Sequence, residues 1–402
     1  MSRRTGTHIV VAPPQVAAPA RQAAPLPPGY AERSASYARA LWRIASADVS
    51  SGNTIEMYSD GDETFDAMIA LIDAASRSVE LESYILRDDT TGHRFADALG
   101  RAAARGAAVR VLGDWIGMRG TSGSFLDGLR RAGAEVLVFN PPGFHRWLGL
   151  VPRDHRKLLV VDDTAAVTGG IGIGDEWRGV LLRRKSLPWR DRCVRIEGPA
   201  ASDLRRTFDN MWRRASGQRP SRQERRTRRV GHNTDIDPGT APAVVAAVVE
   251  GEPGRFRVGR AFHLQCAASE RSIWLATAYF IPSLAEVDAL IGAAREGVDV
   301  RLLLPRKNDH PWVHGYQRRY YRTLLAQGVR VWEWNGEMMH AKTSVVDGRW
   351  TRIGSTDFNP LGIAVNFELD LYLDDVNAGS RAEDLFLADL AMSREVVTAP
   401  RD

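Results

Sequence analysis

Short apolar runs bounded by turn residues alternate along the chain with longer stretches in which apolar positions recur at helical spacing. That alternation predicts strands interleaved with helices. In one stretch Ser78-Val79-Glu80-Leu81 leads to Tyr84-Ile85, an Ala-rich helical segment, and then Gly106-Ala107-Ala108-Val109-Arg110-Val111-Leu112. The order returns later as Ser272-Ile273-Trp274-Leu275, Tyr279-Phe280, a second Ala-rich helix, and Gly297-Val298-Asp299-Val300-Arg301-Leu302-Leu303. Each copy continues through a helix, a glycine (Gly133, Gly328) and a short strand, 135–139 or 329–334, before a His-x-Lys strand. An internal repeat of this size points to an α/β chain of two similar halves, each an α/β sandwich around a mostly buried sheet. The expected divisions are a disordered Ala/Pro-rich tail over 1–35, a first domain over 36–215, an Arg-rich linker over 216–240 and a second domain over 241–402.

Composition narrows the partners. The 402 residues are 44% hydrophobic and 26% charged with a net charge of +5, which suits a soluble globular protein with anionic partners. No run reaches the roughly 18 to 20 apolar residues of a membrane span, and Ile9 to Ala12 is too short for a signal-peptide core, so a cytoplasmic location is expected. Two isolated cysteines, Cys193 and Cys266, give neither a disulfide framework nor a zinc site. Of 54 basic residues only four are lysine, and two of those, Lys157 and Lys342, fall in one repeated motif.

That motif is His-x-Lys-x4-Asp, at His155/Lys157/Asp162 and at His340/Lys342/Asp347. Side chains two apart on a strand share a face, so each His stands beside a fixed positive charge. Each Asp falls at the following turn and reads as a brace. A small-residue pair begins seven residues after each Asp, Gly169-Gly170 and Gly354-Ser355, where backbone N–H groups and a hydroxyl could approach a phosphate. One copy has chance odds on the order of one in a hundred and two copies on the order of one in ten thousand, so the repetition reflects chemistry. His145, His263, His310 and His314 lack such context and read as surface or packing residues.

These paired motifs, with Trp189-Arg190-Asp191, Glu197-Gly198-Pro199-Ala200, Gly174-Asp175-Glu176-Trp177 and Asn366-Phe367-Glu368-Leu369, resemble the phospholipase D superfamily, and within it bacterial cardiolipin synthases. The resemblance spans about residues 55–390. It implies two pseudo-symmetric domains with a mixed sheet in each, sharing one active site at their interface. One His, by analogy His155, attacks phosphorus; the other, His340, is the acid/base. The resemblance also implies a carboxylate against the far nitrogen of each His, Asp191 for the first copy and Glu368 for the second. It implies no cofactor and no metal, the lysines and a protonated His holding the phosphoryl oxygens. The family's usual Asn beyond the small pair is replaced by Gly172 and Asp357, with Asn359 a nearby substitute.

The implied activity is phosphatidyl transfer between anionic phospholipids such as phosphatidylglycerol, by a monomer attached peripherally to the inner face of the cell membrane and lacking N-terminal membrane helices. A phosphodiester hydrolase or nuclease and a catalytically weakened binding module are the alternatives, although no regular interleaving of aromatic and basic residues marks a base-stacking platform. The loop 144–151 reads either as an interfacial segment or as a packed cover over the sheet end. The linker arginines read as solvated or as an anionic-surface contact. Residues 312–322 predict an amphipathic helix with its aromatics facing the core.

Overall fold

The computed structural model describes residues 7–11, 30–141, 152–181, 184–218 and 244–400. Strand β1 (Thr7–Val11) precedes the first half, whose strands are β2 (Asp48–Tyr58), β3 (Ser78–Ser83), β4 (Ala108–Asp114), β5 (Glu135–Phe139), β6 (Lys157–Val161) and β7 (Ala165–Gly169). After the small ribbon β8 (Val180–Leu181) and β9 (Arg184–Lys185), β10 (Cys193–Glu197) completes it. The second half contains β11 (Val244–Gly251), β12 (Ser272–Ala276), β13 (Asp299–Pro305), β14 (Arg330–Trp334), β15 (Thr343–Val346), β16 (Trp350–Gly354), β17 (Glu368–Asp374) and β18 (Ser393–Pro400).

The halves have matching strand orders, β2-β10-β7-β6-β3-β4-β5 and β11-β17-β16-β15-β12-β13-β14. In each, three strands are parallel (β3, β4, β5; β12, β13, β14) and the others antiparallel, so the sheet is mixed. The two sheets are not separate. β2 and β11 pair antiparallel, with Val49 opposite Ala247, and fuse them into one sheet of 16 strands among the described residues. β11 can stand at this centre because both faces are apolar: Ala246 and Val248 enter one core, Ala247 and Val249 another.

Helices cover both faces. In the first half α2 (Gly61–Ala74) and α3 (Thr90–Ala104) start at Asp60 and Asp89, whose carboxylates accept from Glu63 and Gly92 backbone N–H. Their Phe65 and Phe95 rings meet edge to face at 5.7 Å. Strand β6 is buried throughout, Leu159 and Val161 packing toward these helices and Leu158 and Val160 toward α5 (Pro199–Ala215), which follows the short α4 (Gly123–Arg131). Each such side chain contributes about 1.5–3 kcal/mol. The motif beside β6 is thereby anchored from both sides.

Two segments depart from the expected divisions. Thr7–Val11, within the stretch expected to be disordered, pairs antiparallel with β18, because its Ile-Val-Val run can extend a sheet edge. Helix α1 (Tyr30–Ala45), which the sequence assigns from residue 36 onward to the first domain, packs into the second-half core, where Tyr37 stacks on Trp350 at 4.4 Å. The loop 144–151, residues 219–240 of the expected linker and the first three residues of the expected second domain, 241–243, lie outside the described residues.

In α8 (Pro311–Ala326), which follows α6 (Arg257–Ala268) and α7 (Leu284–Arg295), Val313, Gln317, Tyr321 and Leu324 form the inward face. Trp312 and Tyr316 instead remain 60% and 43% exposed, contrary to the inward-facing expectation. They lie four apart on the adjoining face, and the Arg319 guanidinium covers the Tyr316 ring at 4.5 Å. No helix among the described residues is long and apolar enough to cross a membrane.

Candidate active site

The two motifs occupy equivalent positions on the lead-ins to β6 and β15. The strand begins at Lys157 in the first copy and at Thr343 in the second, so each His precedes the ladder instead of lying within it. Its backbone pairs with the other half. His155 N–H donates to Phe367 O (2.9 Å) and His340 N–H to Arg190 O (2.7 Å). Phe367 and Arg190 immediately precede Glu368 and Asp191.

This crossing determines the carboxylate partners. Glu368 lies 3.1 Å from His155 Nδ1 through both oxygens, and Asp191 lies 2.7 Å from His340 Nδ1. The expected assignment of Asp191 to the first copy and Glu368 to the second is therefore reversed. Repeat position placed each carboxylate beside the His of its own half, whereas the bridging backbone delivers it to the opposite half. A carboxylate at Nδ1 selects the tautomer with its proton there and leaves the Nε2 lone pair free.

The lysines repeat the symmetry. Lys157 Nζ donates to His155 O and Lys342 Nζ to His340 O, both at 2.6 Å. Lys157 lies over Tyr84 at 5.3 Å and Lys342 over Tyr279 at 5.6 Å. Each tyrosine also flanks its own His, with ring separations of 4.9 and 6.3 Å. Sequence reasoning gave these tyrosines no role, although their matching repeat positions were a usable signal.

Burial governs the ionisation. It holds both imidazoles well below their ordinary range; Lys157 and Lys342 both add to the effect at His155, and again at His340. All four groups thus share one electrostatic environment. Burial also lowers Lys157 to about 8, raises Glu368 to about 8 against the pull of Lys157, and raises Asp191 to about 6 against that of Lys342. Desolvation pushes each His and its carboxylate toward their neutral forms.

Asp162 and Asp347 occupy the turns, both with φ of 54°, a left-handed conformation that a short polar side chain accommodates. Asp162 accepts from the backbone N–H groups of Ser76, Arg77 and Ser78, and Asp347 from those of Glu270, Arg271 and Ser272. Burial opposes ionisation of Asp162, but these bonds prevail and lower it to about 2. Both aspartates tie the turn after the motif strand to the start of β3 or β12.

The small pairs do not offer the expected phosphate donors. The N–H groups of Gly170, Gly354 and Ser355 donate to Arg192 O, Lys342 O and Leu369 O. The Ser355 hydroxyl serves Glu368. The missing side chains instead admit the neighbouring strand. A Cβ on Gly169 would meet Arg192 O at 2.3 Å, one on Gly170 Asp191 Oδ1 at 2.1 Å, and one on Gly354 Asp370 Oδ1 at 1.8 Å. These positions seat the carboxylate strands. Asn359 is also engaged locally, its side-chain oxygen accepting from Gly362 N–H.

At Gly172 the indole of Trp177 fills the space, since a Cβ there would come within 2.8 Å of that ring and of Ile85. Trp177 Nε1–H donates to Asp191 Oδ2 (3.1 Å), paralleling the Ser355 bond to Glu368. Asp357 lies 3.4 Å from Lys342 Nζ and accepts from Thr277 Oγ1 and Tyr279 N–H. No His/Cys/Asp/Glu group with metal-holding geometry occurs among the described residues.

A family profile described as "Cardiolipin synthase, PLD-like domain" matches residues 68–212 and 264–390, one segment in each half. The chain belongs to this family. Cardiolipin synthase A of Pseudomonas syringae pv. syringae (strain B728a) is 31% identical over 373 residues, covering 91% of this chain and 75% of that protein. Major cardiolipin synthase ClsA of Bacillus subtilis (strain 168) is 31% identical over 346 residues, covering 85% and 70%. Among solved structures, the phosphatidylserine synthase of Haemophilus influenzae Rd KW20 superposes with a TM-score of 0.69 at 15% identity, covering 91% of this chain and 92% of that one. Polyphosphate kinase from Porphyromonas gingivalis gives 0.56 at 13% identity, over 83% and 46%. These two show the shared fold. Family membership and fold thus agree with the duplicated motif as the organising feature of the chain.

Proposed function

We propose that the chain is a phosphatidyltransferase of the cardiolipin synthase type, acting on anionic phospholipids such as phosphatidylglycerol. The observation that carries it is the pair of buried histidines, each held at Nδ1 by a carboxylate of the opposite half and each beside a lysine. His155 Nε2 attacks phosphorus, and the P–O bond to the first alcohol breaks as His340 protonates that oxygen. The acceptor hydroxyl then returns its proton to His340 and attacks phosphorus, breaking the P–N bond to His155. Burial favours neutral imidazoles, which suits attack. A bound phosphodiester anion favours protonation of His340, which suits leaving-group departure. Lys157 and Lys342 stabilise the non-bridging oxygens.

One chain supplies both halves, so a monomer can build the complete site. Peripheral contact with the inner membrane face is supported by the exposed Trp312 and Tyr316 beside Arg319, an aromatic and basic pairing suited to an anionic interface. The test is incubation with phosphatidylglycerol vesicles, with and without EDTA, and separately with single- and double-stranded DNA. Cardiolipin formation that survives EDTA is expected. DNA cleavage without lipid turnover overturns the assignment.

A further inference from the structure

The halves differ where β4 and β13 end. Aligning these strands places Trp115-Ile116-Gly117-Met118 opposite Arg306-Lys307-Asn308-Asp309. The first segment folds inward as an apolar plug. Met118 is buried against Gly113, and Gly117 packs so closely on Tyr84 that a Cβ would meet its carbonyl at 1.9 Å. The second segment is charged and borders an open cavity of about 420 Å³, also lined by Trp189, His314 and Glu337.

This cavity adjoins His340. The Trp189 ring centre is 5.5 Å from that imidazole, and Asp309 accepts the Tyr279 hydroxyl at 2.7 Å while the Tyr279 ring flanks His340. A nucleophile and its leaving group lie in line across phosphorus, so with His155 attacking, the departing alcohol leaves on the His340 side. The acceptor alcohol enters by the same side in the second step. A cavity beside His340 is therefore positioned for alcohols.

Its chemistry selects among them. Arg306 bonds the neutral amide oxygen of Asn335 (3.0 Å), leaving its charge available to an anion, and Lys307 stands beside it in an exposed ion pair with Glu337 (3.2 Å) that an entering phosphate would share. Asp309 and Glu337 provide acceptors for hydroxyls. We propose that this cavity is the acceptor subsite for a glycerophosphate-bearing alcohol, its phosphodiester held by Arg306 and Lys307 and its hydroxyl directed to His340. The assignment rests on the transfer chemistry proposed above. In the step it serves, the acceptor O–H proton passes to His340 as the P–O bond forms and the P–N bond to His155 breaks.

The test offers the full-length protein a phosphatidylglycerol donor isotopically labelled in its headgroup glycerol, with equal amounts of unlabelled glycerophosphoglycerol and unlabelled free glycerol as soluble acceptors. Mass spectrometry reads transfer to glycerol as phosphatidylglycerol that has lost the label and transfer to glycerophosphoglycerol as a new, heavier lipid. The wild type should favour glycerophosphoglycerol. The exposed double substitution Arg306→Gln/Lys307→Gln should reduce that preference by about 10-fold, the scale of one charge-assisted bond to phosphate. A preference unchanged in the variant, or absent in a wild type that still consumes donor, overturns the subsite. A wild type that neither transfers nor hydrolyses the donor overturns the functional assignment itself, and the subsite with it.

Discussion

The crossed carboxylates make a prediction that depends on the leaving group. Asp191 is fully buried, 2.7 Å from His340 Nδ1, and also accepts from Trp177 Nε1 and Arg192 N–H. In Asp191→Asn, either amide orientation sets an NH2 group against one of these donors and removes the charge that stabilises a protonated imidazole. At a charge separation of about 4 Å and an effective dielectric constant of about 20, that attraction is about 4 kcal/mol. The corresponding rate loss is roughly a thousandfold. Because Asp191 serves the acid/base His340, the loss should fall on leaving-group protonation. A nitrophenyl phosphodiester, whose leaving group needs no proton, should therefore show a nearly normal first-turnover burst in this variant. Above pH 8, where Glu368 is ionised, Glu368→Gln should depress that same burst by a similar thousandfold, because the Glu368 carboxylate supports the nucleophile as it becomes positively charged. Stopped-flow absorbance measures both, with thermal melts establishing that each variant is folded. An equal loss for natural and activated substrates in Asp191→Asn, or a normal burst in Glu368→Gln, would refute the crossed pairing.

Three further outcomes are expected. Gly170→Ala places a methyl group 2.1 Å from Asp191 Oδ1, so it should lower stability by about 1–3 kcal/mol in a denaturant melt and misplace His340, lowering activity more than stability alone explains. Lys157 titrates near pH 8 because burial disfavours its charge; its cationic form dominates below that pH, and KM for an anionic lipid should rise as pH increases through 8. Asp357→Asn removes a carboxylate 3.4 Å from Lys342 Nζ and should lower the same KM severalfold, read from initial rates on vesicles of constant composition.

The parts of the fold visible in the sequence were those set by local chemistry. The repeat foretold two similar halves around mostly buried sheets, which appear as matching strand orders. The fusion of the two sheets was hidden, because pairing between β2 and β11 depends on edges nearly 200 residues apart, with no local signal. The same limit explains the carboxylates: Asp191 and Glu368 were recognisable residues, but their partners are set by bridges spanning the two halves. The small pairs were visible too, yet only the packed strands reveal that the N–H groups of Gly170, Gly354 and Ser355 are already spent and that Gly170 makes room for a carboxylate. Trp177 acts through a side-chain direction that a linear pattern does not encode, whereas the two tyrosines were signalled by their matching repeat positions.

Trapping the covalent intermediate tests whether one transfer site uses His155 as nucleophile and His340 as acid/base. Protein carrying His340→Ala should be mixed with a phosphatidylglycerol analogue bearing a nitrophenyl leaving group, quenched in base, digested and mapped by mass spectrometry. A phosphatidyl group should accumulate on His155 because His340 is missing. No adduct on His155 in that variant, or an adduct on His340 when the wild type is treated in the same way, would contradict these roles.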